Sequence, residues 1–439
     1  MRKLKIEQTN IFDFIEETNK KYKIVQPIRL IELFAGIGSQ AKALKNIGAD
    51  FEHYKVVEFD KYAIASYNAI HGTNFITQDI TKIKGSDLEI VDTNKYCYIM
   101  TYSFPCQDLS LAGKQAGMTK GSSTRSGLLW EVERLLNETK ELPQILLMEN
   151  VPQVHGKKNI QDFEKWIEFL QSKGYSNYWK DLNAKDYGIP QNRNRTFMVS
   201  ILGSYEYEFP KPFELKLRLK DMLEKNVDEK YYLSETLLIQ ILRWEAQQRP
   251  LEKVLGEKSI SPTLTARGAG ENHSGMVLLC EELEETTNLQ EYTKKSLEKI
   301  KNNIRDINDC SSTNTANPQR ATIDNGNLVV VKEATKKGYA IAEEGDSLNL
   351  TYPNSTTRRG RVGKQVSQTL ETSCNQAVVD RDLRIRKLTP KECWRLMGFA
   401  DEDFDNASKV NSNSQLYKEA GNSIVVNVLE EIFKQFFKE

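Results

Sequence analysis

The 439-residue chain is long enough to bury a large core and to divide into two or three domains. Its 61 Lys and Arg residues balance its 61 Asp and Glu residues, so composition alone does not indicate a nucleic-acid-binding protein, although a local basic face stays open. The six cysteines form no C-x-x-C pair, which argues against a disulfide framework and a structural zinc site. The sequence has neither a run long enough to span a bilayer nor a signal-peptide core, so we expect a cytosolic protein.

The first regular pattern in the chain is a strand, a glycine turn and a helix. Residues 1–27 predict a short polar helix and a linker, and residues 28–34 then form a β-rich apolar run. Gly36 and Gly38 follow, and a helical pattern begins after them. Such glycines allow a nucleotide-type cofactor to approach the helix N-terminus, although a tight strand-to-helix turn needs glycine in any case.

Polar side chains follow the next predicted strands. Glu58 lies about twenty residues beyond the glycine turn, where a Rossmann-like unit usually places a carboxylate against ribose hydroxyls. Asp79 closes a third short apolar segment, which we predict to be a strand, and a fourth strand leads to Cys106. Parallel sheets bind ligands at the carboxyl ends of their strands. We therefore expect Gly36, Glu58, Asp79 and Cys106 to share one edge of a sheet.

Cys106 is the first candidate for chemistry, because it directly follows Pro105 at the end of a predicted strand. Proline fixes the backbone φ angle, so the thiol can be held in one place, as a nucleophile requires. Further along, Glu149 ends another apolar strand, and Arg193 and Arg195 lie two residues apart where a strand begins, on the same side. A buried cysteine, a solvated acid and surface arginines are the alternative interpretations.

Six motifs, in this order and spacing, resemble those of the bacterial and phage cytosine-5 DNA methyltransferases. They are Phe34-Ala35-Gly36-Ile37-Gly38, Phe104-Pro105-Cys106-Gln107, Glu149-Asn150-Val151, Gln191-Asn192-Arg193-Asn194-Arg195, Arg386-Lys387-Leu388-Thr389 through Gly398-Phe399, and Gly421-Asn422-Ser423. The resemblance covers most of the chain and departs from the family at Ser39, where many members have glycine. It implies an α/β fold: a Rossmann-like, doubly wound methyltransferase domain with an inserted, mostly irregular or β target recognition domain.

The resemblance also sets the expected domain organisation. An N-terminal extension (1–27) precedes a catalytic domain that binds S-adenosylmethionine (28–202). The target recognition domain follows (203–380), and residues 381–439 complete the catalytic domain. A helix is predicted after Thr389, with Thr389 as its N-cap and Pro390 at the first position. A last helix is predicted to open at residues 419–423.

The resemblance implies a role for each catalytic side chain. Cys106 would add to carbon 6 of cytosine, while Glu149 would hold ring N3 and the exocyclic amine. Arg195 would hold the pyrimidine O2, and Arg193 would support a phosphate or Glu149. Methyl transfer to carbon 5 and loss of the carbon 5 proton would then expel the thiol. Because the target base must leave the duplex to reach such a pocket, base flipping is implied.

The resemblance further implies a cofactor site and a DNA surface. Phe34 would contact adenine and Glu58 the ribose hydroxyls of S-adenosylmethionine, and the full expected set is Phe34, Gly36, Gly38, Glu58, Asp79, Pro105, Leu128, Asn422 and Ser423. Ser110 would contact a DNA phosphate. Because arginine binds guanine edges and neutralises phosphate, we add as candidate DNA contacts Arg267, Arg358, Arg359 and Arg361. A solvated loop is the alternative for these arginines.

The expected partner is double-stranded DNA, and we expect neither membrane association nor a bound metal ion. We expect a monomer in the bacterial cytosol or nucleoid, and a cognate restriction endonuclease is a candidate partner. An RNA cytosine methyltransferase remains an alternative because a transfer-RNA enzyme shares these motifs, although its recognition region is typically small. A catalytically silent DNA-binding relative is the other alternative, against which an intact Cys106, Glu149 and Arg195 argue.

Overall fold

The computed structural model describes residues 20–106, 108–109, 117–122, 124–234, 328–336, 338–353, 355, 357–373, 375–380 and 384–437, and these fall into two compact units. Unit 1 comprises Met1–Met222, Thr369–Cys374 and Pro390–Glu439. Unit 2 comprises Leu223–Gln368 and Asn375–Thr389. The helix predicted near the N-terminus lies outside the described residues.

Unit 1 extends further than the predicted boundary at residue 202. The buried side chains of Leu219 and Met222 belong to it, and Arg395 donates to the carbonyl of Met222 at 3.0 Å. Thr369 and Leu370, predicted within the recognition domain, also belong to unit 1. Thr369 Oγ1 donates to the carbonyl of Asn192 at 2.8 Å, which ties this short segment to the catalytic unit.

A six-stranded mixed sheet forms the centre of unit 1. The strands of this unit are β1 (Ile28–Leu33), β2 (Phe51–Val57), β3 (Cys97–Tyr102), β4 (Ile145–Asn150), β5 (Tyr175–Asn183), the two-residue β6 (Gln191–Asn192) and β7 (Asn194–Leu202). The sheet order is β2-β1-β3-β4-β7-β5. The first four strands are parallel, and β7 runs antiparallel to both β4 and β5. The Rossmann-like α/β fold is thus confirmed, with one reversed strand that the sequence did not predict.

Eight α-helices accompany the sheet in the described part of unit 1. They are α1 (Ser39–Asn46), α2 (Lys61–His71), α3 (Leu129–Glu138), α4 (Ile160–Ser172), α5 (Pro390–Arg395), α6 (Asp401–Ser408), α7 (Asn413–Asn422) and α8 (Val426–Lys434). The helix predicted after Thr389 is confirmed as α5. Along the described stretches of the chain, no helix is both long and apolar enough to cross a membrane.

The core of unit 1 forms around the two central strands β3 and β4, which are buried at every residue. Strands covered on both faces read as continuous apolar runs, and both of these do. Helix α3 buries Leu129, Val132 and Leu136, which repeat at three and four residues and so lie on one helical face. This burial fixes the carboxyl ends of the strands, where the predicted site residues lie.

The C-terminal helices pack against the helices that follow β1 and β2. Lys42 on α1 forms a buried ion pair with Asp403 on α6, with Nζ and Oδ2 2.7 Å apart. Ser66 on α2 donates to Glu419 on α7 at 3.0 Å, and α8 packs on α1. The end of the chain therefore lies within the same unit as its first strand.

The segment predicted to open the last helix, residues 419–423, instead forms the C-terminal end of the helix before it. Helix α7 ends at Asn422 and α8 begins at Val426, so the prediction was wrong on this point. The end of α7 also lies close to a segment that is distant in sequence. A Cβ atom on Gly421 would lie 2.6 Å from the backbone of Glu371, so a side chain at this position would push that segment away.

The third predicted strand, closing at Asp79, is not a strand. Residues 73–79 are irregular, and Ile76 is 73% exposed. The amide of Gln78 donates to the carbonyl of Glu58 at 2.8 Å, beyond the last residue of β2. The segment therefore does not pair with β2 as a strand, although this hydrogen bond brings it to the carboxyl edge of the sheet.

Unit 2 is built, where described, from short antiparallel strands. They are β8 (Leu328–Lys332), β9 (Tyr339–Glu343), β10 (Ser347–Asn349), β11 (Val362–Gly363), β12 (Ser367–Gln368), β13 (Gln376–Val379) and β14 (Ile385–Lys387). Strands β8 and β9 pair with each other, and a four-stranded sheet has the order β11-β10-β13-β14. A small apolar core includes Val331, Ala342, Leu348 and Val379.

Candidate active site

The loop that carries Cys106 is held by side chains from two other segments. Asn150 Nδ2, at the end of β4, donates to the carbonyl of Phe104 at 2.9 Å. The buried hydroxyl of Ser126 donates to the carbonyl of Pro105 at 2.6 Å. These bonds fix a half-buried thiol just past the end of β3. Neither positioning residue was predicted, although Asn150 belongs to a recognised motif.

Glu149 and Arg195 form an ion pair at the adjacent strand ends. Glu149, the penultimate residue of β4, is 8% exposed, and its Oε1 lies 3.2 Å from Nε of Arg195 on β7. In the pairing of β4 with β7, Thr196 lies opposite Asn150. Arg195 and Glu149 are therefore close neighbours across the two strands, and their side chains meet. The reversed strand thus delivers Arg195 to the carboxyl end of β4.

The contacts of Arg193 contradict one of its two predicted roles, support of a DNA phosphate, whereas its charge does act on Glu149. Its guanidinium is 4% exposed and donates to the carbonyls of Leu370, Gly421 and Ser423 at 3.3, 3.1 and 2.7 Å. A guanidinium committed to three buried carbonyls cannot grip a DNA phosphate at the surface. Arg193 instead joins three segments of unit 1 behind the Cys106 loop.

Burial and three neighbouring charges act on the pKa of the Cys106 thiol. Burial and the carboxylate of Glu149 raise the pKa of Cys106 above its ordinary value, while Arg195 and Arg193 oppose this shift without reversing it. The two arginines thus lower the pKa of the thiol by less than burial and Glu149 raise it. Burial also raises the pKa of Glu149 above its ordinary value, and the two arginines oppose this shift.

The glycine turn and Glu58 meet at the carboxyl ends of β1 and β2. Gly36 donates its amide to Glu58 Oε2 at 2.9 Å, and Asp60 donates its amide to Oε1 at 2.8 Å. The turn has positive φ at Phe34 (57°), Gly36 (55°) and Gly38 (80°). A side chain on Gly38 would also collide with the rings of Tyr67 and His71. The carboxylate of Glu58 is therefore fixed in orientation beside the turn.

The turn leaves room for a ligand. A Cβ on Gly36 would have no atom within 4 Å, and Phe34 is only partly buried. Asn422 is exposed, whereas Ser423 is buried and donates its hydroxyl to the carbonyl of Glu419 at 2.8 Å. Phe59, absent from the prediction, is 76% exposed directly after Glu58. An oriented carboxylate, open backbone and aromatic side chains fit a nucleoside with ribose hydroxyls and an adenine ring.

The other predicted cofactor residues differ in their contacts. Asp79 accepts bonds from the amide and hydroxyl of Thr81, which together with Lys82 hold its pKa below the ordinary value. Leu128 is partly buried and packs on the core of unit 1. Asp79 is thus an oriented carboxylate, while Leu128 can offer only an apolar surface.

The predicted DNA contacts divide into three groups. Ser110 and Arg267 lie outside the described residues. Arg359 is exposed and Arg358 half-buried. Arg361 is 2% exposed and donates to backbone carbonyls of its own unit, so its prediction as a DNA contact was wrong. Sequence alone gives no sign that one arginine of a cluster faces inward.

The loop of Cys106, the Glu149–Arg195 pair and the open glycine turn all lie at the carboxyl ends of strands in one sheet. The family model described as "C-5 cytosine-specific DNA methylase" matches residues 28–438. The chain belongs to this family and is a DNA (cytosine-5)-methyltransferase, and members of the family use S-adenosylmethionine as the methyl donor.

Relatives from bacteria and phages match nearly the whole chain. The type II methyltransferase M2.ScrFI of Lactococcus lactis subsp. cremoris is 30% identical over 460 residues, covering 94% of this chain and 99% of the relative. The orphan methyltransferase M.SPBetaI of Bacillus phage SPbeta is 29% identical over 493 residues, covering 93% and 97%. The family model and these relatives favour a DNA substrate over the alternative of an RNA methyltransferase.

Solved structures share the fold. A methyltransferase of Entamoeba histolytica, EhMeth, has a TM-score of 0.55 at 14% identity and covers 94% of this chain and 98% of its own. A putative DNA modification methyltransferase encoded within an Escherichia coli prophage has a TM-score of 0.51 at 18% identity, covering 93% and 98%.

Proposed function

We propose that this protein methylates carbon 5 of a cytosine flipped out of double-stranded DNA, at a specific sequence, through a covalent bond to Cys106. The observation that carries the proposal is the joint placement of Cys106, Glu149 and Arg195 at neighbouring strand ends. Glu149 and Arg195 are paired at 3.2 Å, and both act electrostatically on the thiol.

The proposed chemistry begins when the Cys106 thiol loses its proton to solvent and the thiolate adds to carbon 6 of cytosine. The sulfur–carbon bond forms as the electrons of the 5,6 double bond move to carbon 5, which becomes nucleophilic. Glu149 in its protonated form donates to ring N3 and stabilises this electron-rich state. When bound, S-adenosylmethionine supplies the electrophilic methyl group. Transfer of the carbon 5 proton to solvent then restores the double bond and expels the thiolate.

Arg195 is proposed to hold the substrate carbonyl O2. In the structure its guanidinium instead pairs with Glu149 and donates to the carbonyl of Asn194. A cytosine entering the site would bring its own donors and acceptors to both side chains. Because the pair is largely buried, we propose that it holds the two groups in position until the base arrives.

Glu58 is proposed to bind the ribose of the cofactor. Substituting Glu58→Ala is expected to weaken S-adenosylmethionine binding by about tenfold or more, because hydrogen bonds to a charged group are lost. DNA binding, measured by gel shift at fixed salt, should persist. Glu52→Ala, at an exposed position on the strand that leads to Glu58, is the matched control for calorimetric titration with the cofactor. Equal affinity in the Glu58 and Glu52 variants would refute this role.

Sequence choice is proposed to reside in unit 2. Exchanging Leu223–Gln368 for the matching segment of a relative with a known target should move methylation to the relative's motif. The catalytic unit supplies the chemistry in both proteins, so the rate at the new motif should remain measurable. Methylation that stays at the original motif would contradict the assignment.

The remaining partners are also proposals. We propose that the protein acts as a monomer in the cytosol or at the nucleoid. One relative is named a type II methyltransferase, which supports a cognate restriction endonuclease as partner, whereas another is named an orphan methyltransferase. Digestion of host DNA by extracts of the source cell, with and without this methylation, tests for the endonuclease.

The proposed function is tested by bisulfite sequencing of DNA from cells that express the protein. We expect 5-methylcytosine at one position of one short sequence, and none in cells without the protein. Purified protein and labelled S-adenosylmethionine should transfer label to a duplex with that sequence. Transfer to RNA with none to DNA would contradict the proposal.

A further inference from the structure

A loop in unit 2 presents one aromatic side chain in an unusual conformation. The loop joins β10 to β11, and the amide of Asn349 donates to the carbonyl of Arg361 at 2.8 Å across its base. Tyr352 on this loop is 71% exposed and has a φ of 50°. A bulky residue rarely adopts left-handed φ, and the Pro353 that follows restricts Tyr352 further. The backbone is therefore strained where the ring meets solvent.

A buried guanidinium holds the loop in that shape. Nη1 of Arg361 donates to the carbonyls of Asn349 and Thr351 at 3.3 Å each. Nη2 donates to the carbonyl of Tyr352 at 2.7 Å and to that of Pro353 at 3.4 Å. Burying an arginine is costly unless its donors are satisfied, and here four carbonyls of residues 349–353 accept from its two terminal nitrogens.

A second set of bonds anchors the far side of the loop. The carboxylate of the buried Glu333 accepts from the amide of Arg361 at 2.6 Å. The amide of Ala334 donates to the carbonyl of Arg358 at 2.8 Å, and Nε of Arg359 donates to the carbonyl of Ala334 at 3.1 Å. The loop is thus fixed at both ends before any partner binds, and strain maintained in this way is typical of binding sites.

The charge of the loop indicates the chemistry of its partner. Residues 350–361 contain three arginines and no acid. Arg361 is used internally, while Arg359 is exposed and Arg358 half-buried. A rigid aromatic side chain beside exposed arginines suits nucleic acid, since the ring packs on base edges and the guanidinium groups neutralise phosphates.

We propose that Tyr352 contacts bases of the DNA target and contributes to sequence discrimination, with Arg361 as the residue that positions it. This inference rests on the proposed function and deepens it by naming a specificity residue in unit 2. Arg359 neutralises a phosphate beside the ring, and the strained backbone keeps the ring turned outward.

The test compares Tyr352→Ala, Tyr352→Gly and Tyr352→Phe with wild type, after the wild-type motif has been determined. Rates are measured on a cognate duplex and on duplexes with one base pair of the motif replaced. Both Tyr352→Ala and Tyr352→Gly should lower kcat/KM for the cognate duplex by about tenfold, as loss of an aromatic–base contact does. Tyr352→Phe should retain most of the rate, and KM for S-adenosylmethionine should not change in any variant.

Thermal unfolding supplies a second readout, which should not fall when the activity falls. Glycine accepts left-handed φ without strain, so Tyr352→Gly should not lower the unfolding temperature, although it removes the ring. Phe213→Ala, which removes a 48% exposed aromatic ring from unit 1, is the matched control and should leave kcat/KM unchanged.

Three results would overturn the inference. One is an unchanged cognate kcat/KM in Tyr352→Ala and Tyr352→Gly. Another is an equal loss on cognate and substituted duplexes, because a base contact must favour the cognate sequence. The third is a lower unfolding temperature that accounts for the lost activity of Tyr352→Gly. If wild type itself methylates no DNA, the proposed function fails first, and that result is distinct from these three.

Discussion

Substituting Cys106→Ser should lower the rate of methyl transfer by at least about a thousandfold, because a serine hydroxyl remains protonated at neutral pH and adds poorly to carbon 6. The thiol is half-buried and the change is nearly isosteric, so the unfolding temperature should stay close to that of wild type. Single-turnover transfer of labelled methyl groups to a cognate duplex measures the loss.

Cys97→Ser is the matched control for this substitution. Cys97 begins the strand that leads to Cys106, and its thiol is buried away from the candidate site beside the hydroxyl of Tyr22. This variant should transfer methyl groups at the wild-type rate per folded molecule. If Cys106→Ser retained a comparable rate, another residue would have to be the nucleophile.

Substituting Glu149→Gln should have opposite effects on two readouts. Methyl transfer should fall by about a hundredfold to ten-thousandfold, because a proton donor to ring N3 is lost. Alkylation of Cys106 by iodoacetamide should become faster at a given pH. The reason is that the Glu149 carboxylate raises the pKa of Cys106, while the arginines that lower it remain.

The pH dependence follows from the same shift. In wild type the pKa of Cys106 lies above its ordinary value, so alkylation should increase with pH through that range and beyond it. In Glu149→Gln the whole profile should move to lower pH. Mass spectrometry resolved to the Cys106 peptide separates this thiol from the others. Glu164→Gln, an exposed acid on α4, should change neither readout, and equal profiles in all three proteins would contradict the proposed coupling.

Much of the candidate site could be predicted because local sequence determines it. The glycine turn after β1, Glu58 after β2 and Cys106 after Pro105 each follow an apolar strand, and the carboxyl ends of parallel strands lie on one edge. The structure brings Gly36 and Glu58 into direct hydrogen-bond contact. Asp79 reaches the same edge by an irregular segment, where a short apolar run was mistaken for a strand.

The features that could not be predicted depend on partners far away in the chain. Arg193 is buried because Leu370, Gly421 and Ser423 supply carbonyls from distant segments. Arg361 faces inward because a loop folds its carbonyls around the guanidinium. In both cases the sequence displays an arginine in a basic cluster, and only the fold shows whether its donors point to solvent or to backbone.

The covalent bond between Cys106 and cytosine is the central step of the proposed mechanism. The direct measurement is denaturing electrophoresis of the protein after incubation with S-adenosylmethionine and a cognate duplex that carries 5-fluorocytosine at the target. Fluorine cannot leave as the carbon 5 proton does, so the adduct should persist. Wild type should give a complex that survives denaturation, with peptide mapping to Cys106, and Cys106→Ser should give none. A complex that persists in the serine variant, or wild type that methylates normal DNA yet forms no complex, would contradict the mechanism.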